Sequence, residues 1–468
     1  MLPSMGGTAH FDIHNIISAS HRKNPVSLVP QHFVINHSSP HRDNHTRLGR
    51  PSSSVSGFHM PCVRLSLLFA IIVMCSWPGA SAAPTASGCG KHDSRMLSSA
   101  KPIGAGPFSL SKVYCLSIPP SNFPRTAPQP SPDLRDFFVF DSINGLAIVR
   151  TGPKPSTTRF QGRITGPLGK PPFDWLRTSS AVLGVRQNTA KPSGFALGPL
   201  QPYLFPVNGP ARQLPKLANA AGPLDELYWM GESGIAIAAF GTKGFLYKPE
   251  HDDPHPTLAF VDALNGKVLQ AAAIASIPDL PTKSRVGAIS HSMNAKGIIT
   301  ALIAFQSNRW VVWTQGKAPR ILQLGTKYVH QFTVTPNGRD VLVMKNLSAS
   351  GATCELNPNC PPPTPQTGPI AELRSLSTGN IIWSLRGTAR EFSGSDVPAI
   401  SPDGRYALIS MPREKHRSTT ALISMASGKI IQQIPRPSTS GCTVGFSRDG
   451  RKAWISGETT VYIFDIAK

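Results

Sequence analysis

The sequence predicts an all-β protein in which four-stranded units repeat and close into a ring, the β-propeller architecture. Three observations predict this fold. A turn of the type Ser-Pro-Asp-Gly-Arg recurs along the chain, a second glycine-marked turn follows roughly 20 residues later, and complete units recur every 41 to 46 residues. The composition agrees, because 46 prolines, 40 glycines and only 15% charged residues favour short strands joined by turns.

The first recurring turn lies between two apolar stretches that alternate as strands do. Full copies span Ser401–Arg405, Ser447–Arg451 and Thr335–Arg339, and a degenerate copy spans Ser292–Gly297. In such a hairpin, an Asp or Asn side chain caps the turn and the glycine takes a positive φ. The predicted turn residues are Asp403, Gly404, Asp449, Gly450, Asn337 and Gly338.

The spacing of these turns predicts a blade of four strands. A second turn recurs at Asn265–Lys267, Gln315–Lys317, Thr378–Asn380 and Ser427–Lys429. The interval from Gly338 to Gly404 is 66 residues, but it contains a Pro/Gly-rich insertion at 349–368, and removing those 20 residues leaves 46. A four-stranded unit of this length is typical of propeller blades.

Six blades can be placed over 136–468, opening near residues 173, 227, 288, 332, 398 and 444. The last blade ends at Lys468 before its fourth strand. We therefore expect an N-terminal strand to close the ring, since closure removes exposed sheet edges. The turn Asn144-Gly145 makes Leu146–Val149 our candidate, although this leaves Phe137–Phe140 unplaced. A seventh blade built in part from residues 100–170, and an open β-sandwich with similar turns, are the alternatives.

The repeat resembles those of bacterial YVTN-type and WD40-like propellers. The resemblance lies in Ser401–Arg405, in Val444–Ser456 and in Val461–Asp465, and it extends over about 257–468. The Gly-His and Trp-Asp pairs of the eukaryotic repeat are lacking. The resemblance implies a rigid scaffold that presents binding loops.

The sequence of the N-terminal third predicts an export region. Residues 60–82 combine a short charged start, an apolar run of 13 residues at 65–77 and an Ala-Ser-Ala cleavage site, the pattern of a signal peptide. The run is too short for a stable transmembrane helix, although a single membrane anchor is the alternative. We expect residues 1–59 to be a disordered leader or a misassigned start, residues 83–135 to be a loosely structured extension, and the product to be periplasmic or secreted.

The cysteines fit an oxidising compartment. Cys354 and Cys360 bracket a short polar loop that a disulfide could close, and Cys89 could pair with Cys115 to hold the N-terminal extension. Cys442 is then unmatched, and we expect it to be a buried strand residue.

No catalytic constellation is recognisable. The Gly-x-Ser-x-Gly, Walker and His-Glu-x-x-His patterns are absent. The segment His251–His255 concentrates potential metal ligands, but adjacent carboxylates in a proline-flanked loop are typical of a solvated loop. The sequence thus predicts no catalytic residue, no metal ligand and no cofactor.

The functional prediction is an exported, monomeric, non-enzymatic module that binds a protein or an acidic cell-envelope polymer. The net charge of +22 suits an acidic partner, and its diffuse distribution argues against nucleic acid. The alternatives are a metal-dependent lactonase or hydrolase, a quinoprotein-dehydrogenase-like subunit, and a supporting chain of a larger complex.

Overall fold

The fold is known from a computed structural model of the chain. It describes residues 101–116, 127–141, 145–151, 156–160, 173–187, 200–221, 224–230, 234–240, 257–281, 284, 286–305, 308–324, 329–345, 366–389, 397–411, 419–437 and 442–467. The expected leader, the signal peptide and Cys89 lie outside these residues.

The described strands form seven antiparallel four-stranded sheets, which we number as blades in chain order. Blade 1 contains β2 (Gln129–Pro130), β3 (Asp136–Asp141), β4 (Gly145–Arg150) and β5 (Ser156–Phe160); blade 2 contains β6 (Asp174–Trp175), β7 (Ala181–Gln187), β8 (Leu200–Pro206) and β9 (Arg212–Gln213); blade 3 contains β10 (Leu224–Met230), β11 (Ile235–Phe240), β12 (Thr257–Asp262) and β13 (Val268–Ala273). Blade 4 contains β14 (Val286–Met293), β15 (Ile299–Phe305), β16 (Trp310–Thr314) and β17 (Arg320–Leu322); blade 5 contains β18 (Val329–Val334), β19 (Asp340–Lys345), β20 (Gln366–Ser375) and β21 (Ile381–Ala389); blade 6 contains β22 (Ala399–Ile400), β23 (Tyr406–Ser410), β24 (Thr419–Ser424) and β25 (Ile430–Pro435). Blade 7 contains β26 (Thr443–Phe446), β27 (Lys452–Ser456), β28 (Thr460–Ile466) and β1 (Phe108–Cys115). One short helix, α1 (Pro215–Ala218), and one 3₁₀ turn (Ile274–Ser276) are the described helical elements.

The hydrophobic core lies between neighbouring blades. Phe260 of blade 3 stacks on Trp313 of blade 4 with ring centroids 4.1 Å apart. Tyr114 of blade 7 meets Phe137 of blade 1 edge-on at 5.1 Å, so the same packing joins the last blade to the first. The first strand of each blade is innermost, since β14 approaches β18 and β22 approaches β26, whereas outer strands such as β13 alternate exposed and half-buried residues.

An N-terminal strand does close the ring, but it is β1 and not Leu146–Val149. Phe108 pairs with Ile466 and Cys115 with Thr460, so β1 is the outer strand of blade 7. Leu146–Val149 belongs to β4, the third strand of blade 1, and Phe137–Phe140 belongs to β3 beside it. The prediction was wrong because Asn144-Gly145 has the sequence of the second recurring turn, which joins the third and fourth strands of a blade. Here it occurs at the connection between the second and third strands.

The structure has a seventh blade, which the alternative over residues 100–170 anticipated. Strands β1 and β2 come from the stretch 83–135, where we had expected a loosely structured extension, so the propeller begins well before residue 136. Each of these strands is short or distant in sequence from its partner, which hides it from repeat spacing.

The two faces of the ring differ in their connections. On the face that we call the turn face, strand one joins strand two and strand three joins strand four, and each described connection has four or five residues. On the opposite face, the loop face, connections range from three residues to the 20 residues between β19 and β20. Length variation is therefore confined to one face.

Candidate interaction surface

The turn between the first and second strands is built around a buried hydroxyl in four of the blades. In blade 6 the Ser401 hydroxyl donates to Asp403 Oδ1 at 2.6 Å and accepts the Tyr406 backbone N–H at 2.9 Å. Asp403 Oδ1 also accepts the Arg405 N–H at 3.0 Å. These bonds satisfy the polar groups of the turn internally, and the exposed Arg405 guanidinium pairs with Asp403 Oδ2 of the same turn.

Ser447 and Asp449 repeat this geometry in blade 7, at 2.7 Å between hydroxyl and carboxylate. In blade 5, Thr335 and Asn337 make the same bond at 2.7 Å without a charge. Gly404, Gly450 and Gly338 all have φ near 70°. The structure thus places each predicted turn residue between the first and second strands of its blade.

A further copy of this turn, which the recurring turn pattern did not predict, lies in blade 1. The Ser131 hydroxyl donates to Asp133 Oδ1 at 2.6 Å and accepts the Asp136 N–H at 3.0 Å. Ser131–Arg135 differs from Ser401–Arg405 at one position, where Leu134 replaces glycine and adopts φ 60°. Searching for the Ser-Pro-Asp-x-Arg pattern would have found it.

Hydrogen bonding sets the charge state of the turn carboxylates. Burial would raise the pKa of Asp403, but the bonds from Ser401 and Arg405 outweigh it and lower the pKa. The Ser447 hydroxyl likewise lowers the pKa of Asp449. Both groups are therefore ionised at neutral pH and offset part of the positive charge of this face.

The turn face nevertheless carries an excess of positive charge. Among the described residues of its connections, the exposed cations outnumber three exposed carboxylates, Asp133, Asp403 and Asp449. The cations are Arg135, Arg177, Lys267, Lys296, Lys317, Arg339, Arg405, Lys429, Arg448 and Arg451. They come from all seven blades and so surround the axis of the ring.

A side chain from an outer strand links most blades to a turn of the next blade. Gln270 of blade 3 accepts the Gly316 N–H at 2.8 Å and donates to Lys317 O at 2.8 Å in blade 4. Gln432 makes the same pair of bonds to Phe108, from blade 6 to blade 7. Trp383 and Thr158 reach their neighbours through a single donor. These links hold the turn face as one rigid surface.

A buried charge cluster reinforces the contact between blades 4 and 5. Glu372 accepts from Lys345 Nζ and from Arg374 Nη2, both at 2.7 Å. Arg374 Nη1 donates to Leu324 O of blade 4 and to Gly379 O at 3.0 Å. These bonds join Lys345 and Arg374 to groups of the propeller itself, so we assign the cluster a structural role.

The segments that the sequence marked as potential metal ligands or disulfide partners fall in the following places along the chain. His251–His255 lies between β11 and β12, and Cys354 and Cys360 lie between β19 and β20, all outside the described residues. Cys115 is the last residue of β1, and Cys442 is fully buried immediately before β26. Within the described ranges, His, Cys, Asp and Glu form no group of three that could hold a metal. No helix in the same ranges is long and apolar enough to cross a membrane.

No family model matches the sequence, and no curated protein does. A comparison with solved structures finds 835 similar chains. One is the crystal structure of the WD40 β-propeller domain of Doa1, which is 11% identical, with a TM-score of 0.42 and coverage of 76% of this chain and 97% of that one. The seven four-stranded sheets of this chain form a β-propeller, and its assignment to the YVTN or WD40-like type stays a prediction.

Proposed function

We propose that this protein is an exported, non-enzymatic interaction module that binds an acidic partner on its loop face. The observation that carries the proposal is the contrast between the two faces. Connections of four or five residues form one face, and the long connections lie on the other. Propellers and other rigid scaffolds commonly carry their binding residues on such variable loops.

The charge of these connections supports an acidic partner. The connection between β23 and β24 contains Arg413, Lys415 and Arg417 within eight residues, against one carboxylate, Glu414. The whole chain carries +22, so an acidic protein or cell-envelope polymer would be attracted from a distance.

Binding of poly-L-glutamate tests this proposal. We expect the full chain to bind the polymer, and the variant Arg413→Gln/Lys415→Gln/Arg417→Gln to bind it several-fold more weakly at the same thermal stability. The matched control removes three exposed cations from outer strands: Lys112→Gln/Arg159→Gln/Arg386→Gln. Equal weakening in both variants would show that the charge acts without a site.

The alternative is a propeller enzyme, either a metal-dependent hydrolase or a quinoprotein-dehydrogenase-like subunit. Metal analysis of the purified protein together with a lactone panel separates the two functions. About one equivalent of a tightly bound divalent ion, lost together with hydrolysis, would replace the binding proposal.

Export is the second part of the proposal. We infer that the signal at 60–82 is cleaved after Ala82, and that oxidation then joins Cys89 to Cys115 and Cys354 to Cys360. N-terminal sequencing of the secreted product is expected to begin at Ala83, and peptide mapping without reductant is expected to recover both linked pairs. Recovery of the intact N-terminus from the cytosol would contradict this part.

A further inference from the structure

The turn face carries exposed apolar side chains as well as positive charge. Leu264 and Ile298 lie within its connections and are 50% and 38% exposed. Ile381 and Ile430 follow such connections directly and are 50% and 36% exposed. Neither polar turns nor a solvated surface requires large aliphatic side chains at these positions.

Six of the seven exposed large hydrophobic side chains among the described residues lie in turn-face connections or within two residues of one. Leu269 and Ile382 are the second residues after turns of the same face. The exception is Ile103, which is 58% exposed and hydrogen bonds to Gln433 in the second half of the outer strand β25. Six of these seven side chains therefore lie with the cationic turns at the turn-face end of the blades.

We propose that the turn face docks on an anionic lipid bilayer. Connections of four or five residues leave no long loop projecting from this face, which suits a broad, flat partner. Lysines and arginines near such a membrane gain attraction from its negative surface potential, and aliphatic side chains beside them insert into the headgroup boundary.

The apolar component distinguishes lipid from a soluble polyanion. An acidic polymer would pair with Lys296, Lys317 and Lys429 but would gain nothing from burying Ile298, Ile381 and Ile430. Exposed apolar patches rimmed by polar residues mark protein or membrane contact sites. A bilayer satisfies both components over the full width of the ring.

Docking through the turn face leaves the loop face free, so this inference goes beyond the proposed function and does not depend on it.

Vesicle co-sedimentation of the full chain tests the inference. The probes are vesicles of phosphatidylcholine alone and vesicles that also contain phosphatidylglycerol. We expect binding to the anionic vesicles only. Each cation near a membrane contributes about fivefold to binding, so Lys296→Gln/Lys317→Gln/Lys429→Gln is expected to weaken it on the order of a hundredfold.

Two further variants complete the design, and all share residues 1–100, so any contribution of the apolar run is common to them. Ile298→Ser/Ile381→Ser/Ile430→Ser is expected to bind at low salt and to dissociate at high salt, because only screened electrostatic attraction remains. Lys112→Gln/Arg159→Gln/Arg386→Gln removes the same charge from the outer rim and is expected to bind as the natural chain does. Circular dichroism melting establishes that each variant is folded.

Equal weakening by the turn-face and rim variants would overturn the proposal. Binding to poly-L-glutamate with no binding to anionic vesicles would also overturn it, while leaving the proposed loop-face function intact. Loss of polymer binding in the loop-face variant with unchanged vesicle binding would support both assignments separately.

Discussion

Gln432 holds Phe108 across 324 residues of sequence. Its Oε1 accepts the Phe108 N–H at 3.1 Å, and its Nε2 donates to Phe108 O at 3.2 Å. The amide is buried, and it fastens the N-terminal strand of blade 7 to the outer strand of blade 6. Gln270 does the same between blades 3 and 4, where no chain end is involved.

Gln432→Leu is expected to loosen ring closure. The buried N–H and C=O of Phe108 would lose their side-chain partners, at a cost of about 1–3 kcal/mol in the free energy of unfolding. Hydrogen exchange should show faster opening of β1 in this variant. Gln270→Leu is the matched control and should leave protection of β1 unchanged; equal loss of protection would mean that closure has no special dependence on Gln432.

Substitution by glycine should change the free energy of unfolding in opposite directions at two residues with positive φ. Ser179 has φ 56°, and Ser179→Gly is expected to raise the free energy of unfolding by about 1 kcal/mol, because little packing is lost. Leu134 has φ 60°, but its buried side chain packs with Tyr114, Phe137 and Val461. Leu134→Gly should lower stability by about 1–4 kcal/mol, since lost packing exceeds the relief of strain. Urea unfolding measures both, and a stabilised Leu134→Gly would show that strain dominates.

The turn carboxylates should make the protein sensitive to acid. The pKa values of Asp403 and Asp449 are lowered below the ordinary 3.8, so their stabilisation is present above that value and is lost as pH falls through the folded pKa. Burial raises the pKa of Asp136, against the opposing effect of Arg150, so this group has the opposite sign: it costs stability as pH rises through its pKa.

Asp403→Asn/Asp449→Asn is therefore expected to flatten the dependence of unfolding free energy on pH in the acid range. Asn337 already forms the same turn without charge, accepting the Arg339 N–H at 2.9 Å, so the turns should keep their shape. Urea titrations at a series of pH values measure the slope. An unchanged slope would assign acid sensitivity to other carboxylates.

Removing the carboxylate from the buried cluster should be costly. Glu372→Gln leaves Lys345 and Arg374 without their counter-charge, and an uncompensated buried charge costs about 3–5 kcal/mol. The exposed pair of Arg135 and Asp133, at 3.8 Å, provides the contrast, because Arg135→Gln should cost less than about 1 kcal/mol. Similar thermal shifts for the two variants would show that the cluster is effectively solvated.

The sequence by itself determined the four-stranded repeat and its recurring turns. Hydroxyl, proline, carboxylate and glycine stand close together in Ser401–Arg405, and every bond that stabilises this turn lies within six residues, so local chemistry is sufficient to predict it. The residues between the turns alternate as strands do, and their spacing predicts four strands per blade.

Only the tertiary structure decided how the ring closes, how many blades it has and which residues share a face. Phe108 and Ile466 pair although hundreds of residues separate them. The turn before Leu146–Val149 made that segment an equally plausible closing strand, but it belongs to blade 1. A strand pattern does not encode the identity of a distant partner, because any exposed edge accepts any strand of suitable length. The gathering of Ile298, Ile381 and Lys429 on the turn face likewise follows from the order of strands within blades, which sequence spacing alone does not reveal.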